Sequence, residues 1–214
     1  MRKILAFLVL FVSSSMLGQF DKNWNKVEEY ENLGRTKSAF SAVKSIYRKA
    51  KRDKNEPEII KCFFYKSKYL MILEEEAQRK IMANLKTEIA ENSLPSQAIL
   101  NLVYAKCLQD YKRQNYDKLW RRTNLDSVNA TDFMTWTNQN FDQEIKLAYQ
   151  NSLKNRADLK NVSLKKYDVL FSYGDGENSK IETLYDYILE KNIAHHSAQI
   201  SMYQDADNVR SYGY

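Results

Sequence analysis

The chain reads as all-α: antiparallel helix hairpins, helical-repeat-like, forming a bundle or short solenoid after a cleaved signal peptide. Three observations predict this. Only 5 Gly and 2 Pro occur in 214 residues, so few positions interrupt a helix. Apolar residues recur three and four apart, as in Ala39, Phe40, Val43, Ile46, Tyr47 and Ala50. The joints between such stripes are short, which favours antiparallel neighbours.

The first eighteen residues stand apart. Met1-Arg2-Lys3 is followed by an apolar run from Ile4 to Val12 and then by Ser13-Ser14-Ser15-Met16-Leu17-Gly18. A basic start, a short apolar stretch and small residues near a cut site make a secretory signal. The run is too short to cross a bilayer, which takes about 20 residues. The expected organisation is a signal peptide at residues 1–18, a helical domain at 19–200 and a polar, poorly packed tail at 201–214. Export to the periplasm or cell surface is the expected destination.

The helical stripes follow in order. Asp21 caps a first helix bearing Trp24, Val27 and Tyr30, which ends at Leu33-Gly34 because Gly accepts the left-handed cap conformation. A second runs from Thr36 to Lys51, with Lys37, Lys44, Arg48 and Lys49 on its polar face. Pro57 suits the first turn of a third helix, which reaches Leu73. That helix is apolar on more than one side (Ile59, Ile60, Phe63, Phe64, Tyr65, Leu70, Met71), so it is expected at the centre. Glu74-Glu75-Glu76 is expected to open a fourth helix with the stripe Ala77, Ile81, Leu85, Ile89, since acids favour a helix N-terminus. Pro95 starts a fifth, through Ile99, Leu102, Val103 and Leu108. Residues 116–135, rich in Asn, Asp and Thr, read as a loop or short turns. Thr137 caps a helix carrying Phe141, Ile145, Leu147, Ala148, Tyr149 and Leu153; a short helix covers Leu164 to Phe171; and a last one runs from Thr183 through Leu184, Tyr187, Ile188 and Ile193. Val43, Tyr47 and Ala50 partly fit the tetratricopeptide pattern, but Pro57 falls late and the repeat is not restated.

Little in the sequence carries catalytic chemistry. His195 and His196 are adjacent, so they leave a helix on different sides and do not share a metal; they read as two helix-end polar residues. The turn Gly174–Ser179 places Asp175, Glu177 and Ser179 at alternate positions. A calcium loop counted from Asp175 needs Gly where Lys180 stands and Glu where Asp186 stands. No Gly-x-Ser-x-Gly, phosphate-binding loop or His-Glu-x-x-His occurs. Neither a catalytic residue, a cofactor site nor a metal site is expected, and no small-molecule substrate is evident. Cys62 and Cys107 sit in apolar helical runs and read as buried thiols, although an exported chain also permits a bridge between them. Asn129-Ala130-Thr131 fits the N-glycosylation acceptor pattern. The formal charge is +6, two units of which belong to Arg2 and Lys3. The charges read as interleaved, as on a solvated helical surface, so no nucleic-acid partner is expected. Membrane embedding of the mature chain is not expected either.

Ordered segments also carry a family likeness. Trp24-Asn25-Lys26-Val27-Glu28 precedes Gly34 and Lys37-Ser38-Ala39; Ile46 to Lys51 and Ile59-Ile60-Lys61 follow. Glu88-Ile89-Ala90-Glu91, Ala98-Ile99-Leu100, Arg122 to Leu125, Thr135-Trp136 and Thr183 to Tyr187 complete the set. Over residues 20–190 the chain resembles the N-terminal helical region of large bacterial alpha-2-macroglobulin-like proteins. The resemblance implies an exported, non-catalytic module of an endopeptidase inhibitor in the cell envelope. Such a module would dock the remainder of its own longer chain or an envelope protein partner. The family's Cys-Gly-Glu-Gln thioester motif is absent here, so no thioester role carries over. A stand-alone exported helical-repeat scaffold for protein–protein assembly is the other expectation.

Overall fold

The computed structural model describes residues 21–122, 132–170 and 181–211, and among these it is all-helical apart from one isolated bridge. The signal segment, the Asn129 acceptor site and the Gly174–Ser179 turn lie outside the described residues. Five helices follow one another: α1 (Asp21–Asn32), α2 (Thr36–Arg52), α3 (Glu56–Leu73), α4 (Ala77–Glu91) and α5 (Leu94–Gln114). Each packs on the next, as expected of serial hairpins.

The joints show why the helices stop. Gly34 has φ 68°, and its N–H reaches the Glu31 carbonyl at 2.9 Å while the Arg35 N–H reaches Tyr30 at 2.8 Å. This pair of bonds is the Schellman closure that left-handed residues provide. The same closure ends α2, where the Asn55 N–H reaches Ala50 at 2.9 Å, but Lys54 holds the left-handed position with φ 53°. A side chain there is strained and glycine is not. Lys54→Gly is therefore expected to raise stability by up to about 1 kcal/mol, read as a shift of the urea midpoint at constant slope.

α3 is central, as its sequence predicts, because its two faces serve two cores. Ile59, Cys62 and Tyr69 join Val27, Ala39, Val43, Ile46 and Ala50 of α1 and α2. Ile60, Phe63, Phe64 and Leu70 face the larger core built with α4, α5 and the later elements. Cys62 and Cys107 belong to different cores, and both are buried free thiols. Burial pushes the Cys107 thiol up to about 12.

Two boundaries depart from the sequence reading. Glu74–Glu76 precede α4 instead of forming its first turn. Glu74 is extended, and its N–H closes α3 on the Leu70 carbonyl at 2.9 Å; Glu76 is the N-cap. Residues 116–135 hold a short helix α6 (Tyr116–Trp120) and a 3-10 turn (Phe133–Thr135). Next comes α7 (Asn138–Ser152), opened by the expected Thr137. The Thr137 hydroxyl accepts from the Asn140 N–H at 3.3 Å, and the Asn140 side chain accepts from the Thr137 N–H at 3.0 Å. This reciprocal cap satisfies two otherwise orphaned donors.

A short helix α8 (Arg156–Lys160), not foreseen from the sequence, leads to a 3-10 segment at Leu164–Leu170. An isolated antiparallel bridge, Ser163 with Thr183, then delivers the chain into α9 (Leu184–Ser211). α9 runs past Ile193 and into the segment expected to be a poorly packed tail, as far as Ser211. No Gly or Pro interrupts residues 184–211, so backbone propensity carries the helix onward. Among the described residues, no helix is long and apolar enough to cross a membrane.

Candidate functional site

Aromatic side chains of α5, α7 and residues 133–136 pack into one cluster. Tyr111 stacks on Phe141 with centroids 5.5 Å apart, and Phe133 meets Tyr111 edge-on at 4.9 Å. Trp136 meets Phe141 edge-on at 5.4 Å and is almost wholly buried. Polar bonds hold both ends of the 132–136 segment against this cluster. The Arg79 Nε donates to the Asp132 carboxylate at 3.2 Å, and the same oxygen accepts from the Met134 N–H at 3.1 Å. At the other end the Arg122 guanidinium donates to the Trp136 carbonyl at 2.8 Å.

Between this segment and α4 lies a groove of about 400 Å³, lined by Arg79, Met82, Ala83, Lys86, Tyr104, Asp132, Phe133 and Trp136. Its volume falls within the range of ligand clefts. The Lys86 ammonium lies 5.3 Å from the Tyr104 ring centre and 5.6 Å from that of Trp136, and 3.3 Å from Glu144. The Tyr104 hydroxyl donates to the same Glu144 oxygen at 2.9 Å. Burial, with the Glu144 charge beside it, holds the Tyr104 phenol well above its usual range. Tyr104 is thus a hydrogen-bond donor at any ordinary pH and not a base. The groove offers an aromatic wall and two cations, each already opposite a carboxylate. That arrangement can seat an apolar or aromatic side chain with charged neighbours; among the described residues that line it there is no nucleophile–base pair.

A second polar centre lies between α2, α3 and α4. The buried Glu88 carboxylate accepts from the Tyr47 hydroxyl, from Asn92 Nδ2 at 3.1 Å and from the Lys51 ammonium at 3.1 Å. Lys51 also reaches Glu91 at 3.0 Å. The Lys66 ammonium sits 3.7 Å from the Tyr47 ring centre, where burial lowers its pKa. Near the other end of α3, Trp24 donates its indole N–H to the buried Glu58. These carboxylates are tied to donors from other helices, so their geometry serves to fix one helix against the next.

The histidines are not equivalent. His196 is exposed, whereas His195 is buried and stacks on Tyr149 with centroids 4.1 Å apart. Gln109 Nε2 donates to His195 Nδ1 at 3.0 Å, while Gln109 Oε1 accepts from the Tyr149 hydroxyl at 3.3 Å. Neither histidine ends a helix, since α9 continues to Ser211. The sequence held a signal that adjacency hid: Leu184, Ile188, Asn192 and His195 form one buried stripe at spacings of four, four and three. Among the described residues, no group of three or more His, Cys, Asp or Glu side chains is placed to hold a metal ion.

Burial, reinforced by the positive charges nearby, lowers the His195 pKa from 6.5 to about 4. Between those values the unfolded chain takes up a proton that the folded chain refuses. Stability is therefore complete above about pH 6.5 and falls as the pH drops toward 4. The expected loss is about 1–2 kcal/mol, discounted for solvent near the ring. Urea titrations at pH 7 and pH 4.5 should show this drop in the parent and a smaller one in His195→Gln; equal drops would refute it. Family models, curated proteins and solved structures yield no match to this chain.

Proposed function

We propose that the chain is a non-catalytic helical docking module, acting at the N-terminal end of an exported alpha-2-macroglobulin-like endopeptidase inhibitor. Its binding partner is the remainder of its own longer chain or a protein of the cell envelope. The observation that supports this reading is the aromatic groove between α4 and residues 132–136, presented on a bundle of packed helices. The ordered likeness from Trp24 to Tyr187 supports the family assignment, and the leader supports a periplasmic or cell-surface location.

The test is the mass and peptide content of the species that carries this sequence in its native envelope. Recovery in a chain far heavier than 25.2 kDa, with macroglobulin-domain peptides, is the expected result. Recovery as a free chain of that size or slightly less would overturn the inhibitor reading and favour a stand-alone scaffold.

A further inference from the structure

The net positive charge of this protein equals the charge of one helix. α2 contains Lys37, Lys44, Arg48, Lys49, Lys51 and Arg52 and no acidic residue, while the whole chain has a formal charge of +6. The rest of the sequence therefore sums to zero, and the charges are not evenly interleaved after all. Within α2 the buried stripe is Ala39, Val43, Ile46 and Ala50. At 3.6 residues per turn, Lys37, Lys44, Arg48 and Arg52 lie about half a turn from that stripe, and all four are exposed. They form a straight ridge roughly 22 Å long at a 1.5 Å rise per residue. Lys51 turns aside to Glu88 and Glu91 and is not part of it.

The ridge keeps its positive potential. Among the described residues, its ion pair is that of Arg52 with the adjacent Asp53, at 3.4 Å and largely in solvent. The Lys44 ammonium lies 4.7 Å from the ring centre of Phe40, a neutral neighbour. At the N-terminal end of the ridge, the α1–α2 turn exposes Leu33, at 55 %, beside Arg35. A straight row of cations on the outer side of a helix, with an exposed apolar residue at its end, matches a planar anionic surface. No exposed aromatic residue interrupts the row to stack on a base, as single-stranded nucleic acid would use.

We propose that the α2 ridge attaches this protein to the surface of an anionic lipid bilayer, with Leu33 entering the headgroup layer. The choice of lipid rests on the export reading, and the test separates the two. The protein, in the processed form its host accumulates, is titrated with phosphatidylglycerol-containing vesicles, neutral phosphatidylcholine vesicles and a single-stranded RNA. Lys44→Glu/Arg48→Glu is compared with Lys146→Glu/Lys154→Glu, which makes the same charge change on exposed positions in and after α7. Each basic residue at such a surface contributes about fivefold in affinity. The ridge variant is expected to bind anionic vesicles at least about 25-fold more weakly. The α7 variant should stay within a few-fold of the parent, and Leu33→Ser should weaken vesicle binding alone. Raising salt should weaken the parent's binding as the charges are screened. Equal losses in both double variants, or no preference for anionic vesicles, would overturn the proposal. Ridge-dependent RNA binding without vesicle binding would overturn it and the export reading together; binding to neither ligand overturns only the ridge proposal.

Discussion

Phe141→Ala is expected to lower the unfolding free energy by about 3–5 kcal/mol, the range for a fully buried phenylalanine. Phe141 is wholly shielded from solvent, and Tyr111, Phe133 and Trp136 all pack on its ring. Those three partners come from α5 and from the 132–136 segment, so the ring is where two otherwise separate pieces of chain meet. Removing it leaves a cavity that neither piece can fill without moving. The segment has its own polar anchors, Arg79 to Asp132 and Arg122 to the Trp136 carbonyl. They hold its ends but place no apolar mass beneath its middle. Phe141→Leu keeps most of the volume and is expected to cost about 1–1.5 kcal/mol. Urea unfolding checks the energies, and tryptophan emission checks the geometry: Trp136 should redden in the alanine variant before global unfolding. A loss below about 1 kcal/mol in Phe141→Ala would mean that the ring is not part of a close-packed cluster.

The longer helices were legible in the sequence because each carries its apolar residues at helical spacing, and the joints because Gly34, Pro57, Pro95 and Thr137 act locally. The double-faced α3 was legible for the same reason: two apolar stripes on one helix require two partners. The groove was not. Its wall comes from Arg79 and Lys86 on α4, Tyr104 on α5 and Trp136 after a long connection. Sequence periodicity reports which way a residue faces on its own helix, not which distant helix it meets. α8 was missed because five residues, Arg156–Lys160, are too few to show a period. The ridge on α2 was half visible. Its lysines and arginines read as an ordinary polar face, and the sequence signal that sets them apart is the absence of any acid on that helix. The buried role of His195 was masked by its exposed neighbour.

Glu88→Ala is expected to cost about 3–5 kcal/mol, more than a carboxylate on a helix flank would. The Glu88 side chain is 5 % exposed and gathers donors from two other positions on the helix stack, Lys51 and Tyr47 of α2, besides its own neighbour Asn92. The three donors fare differently when it goes. Asn92 keeps a bond to the Glu88 backbone carbonyl at 2.7 Å, and Lys51 keeps Glu91 at 3.0 Å. Tyr47 loses the acceptor of its hydroxyl beneath the Lys66 ammonium, 3.7 Å from its ring centre. The half-buried Lys66 loses a nearby negative charge that opposes its desolvation. Glu88→Gln retains an acceptor but no charge, and should cost about half as much. Tyr47→Phe should cost about 1 kcal/mol. Alkaline pH supplies an independent readout. Burial and the Glu88 carboxylate raise the Tyr47 phenol, and the Glu91 and Glu88 carboxylates raise the Lys51 ammonium against a desolvation effect that lowers it. Both groups therefore hold protons in the folded chain that the unfolded chain releases from about pH 10 upward. Their contribution is complete below that pH and is lost as the pH rises through the folded values. The parent should weaken steadily above pH 10, while Glu88→Ala, already lacking the interaction, should show a shallower slope. Parallel slopes would show that Glu88 does not couple to the phenol and the ammonium, whatever its removal costs at neutral pH.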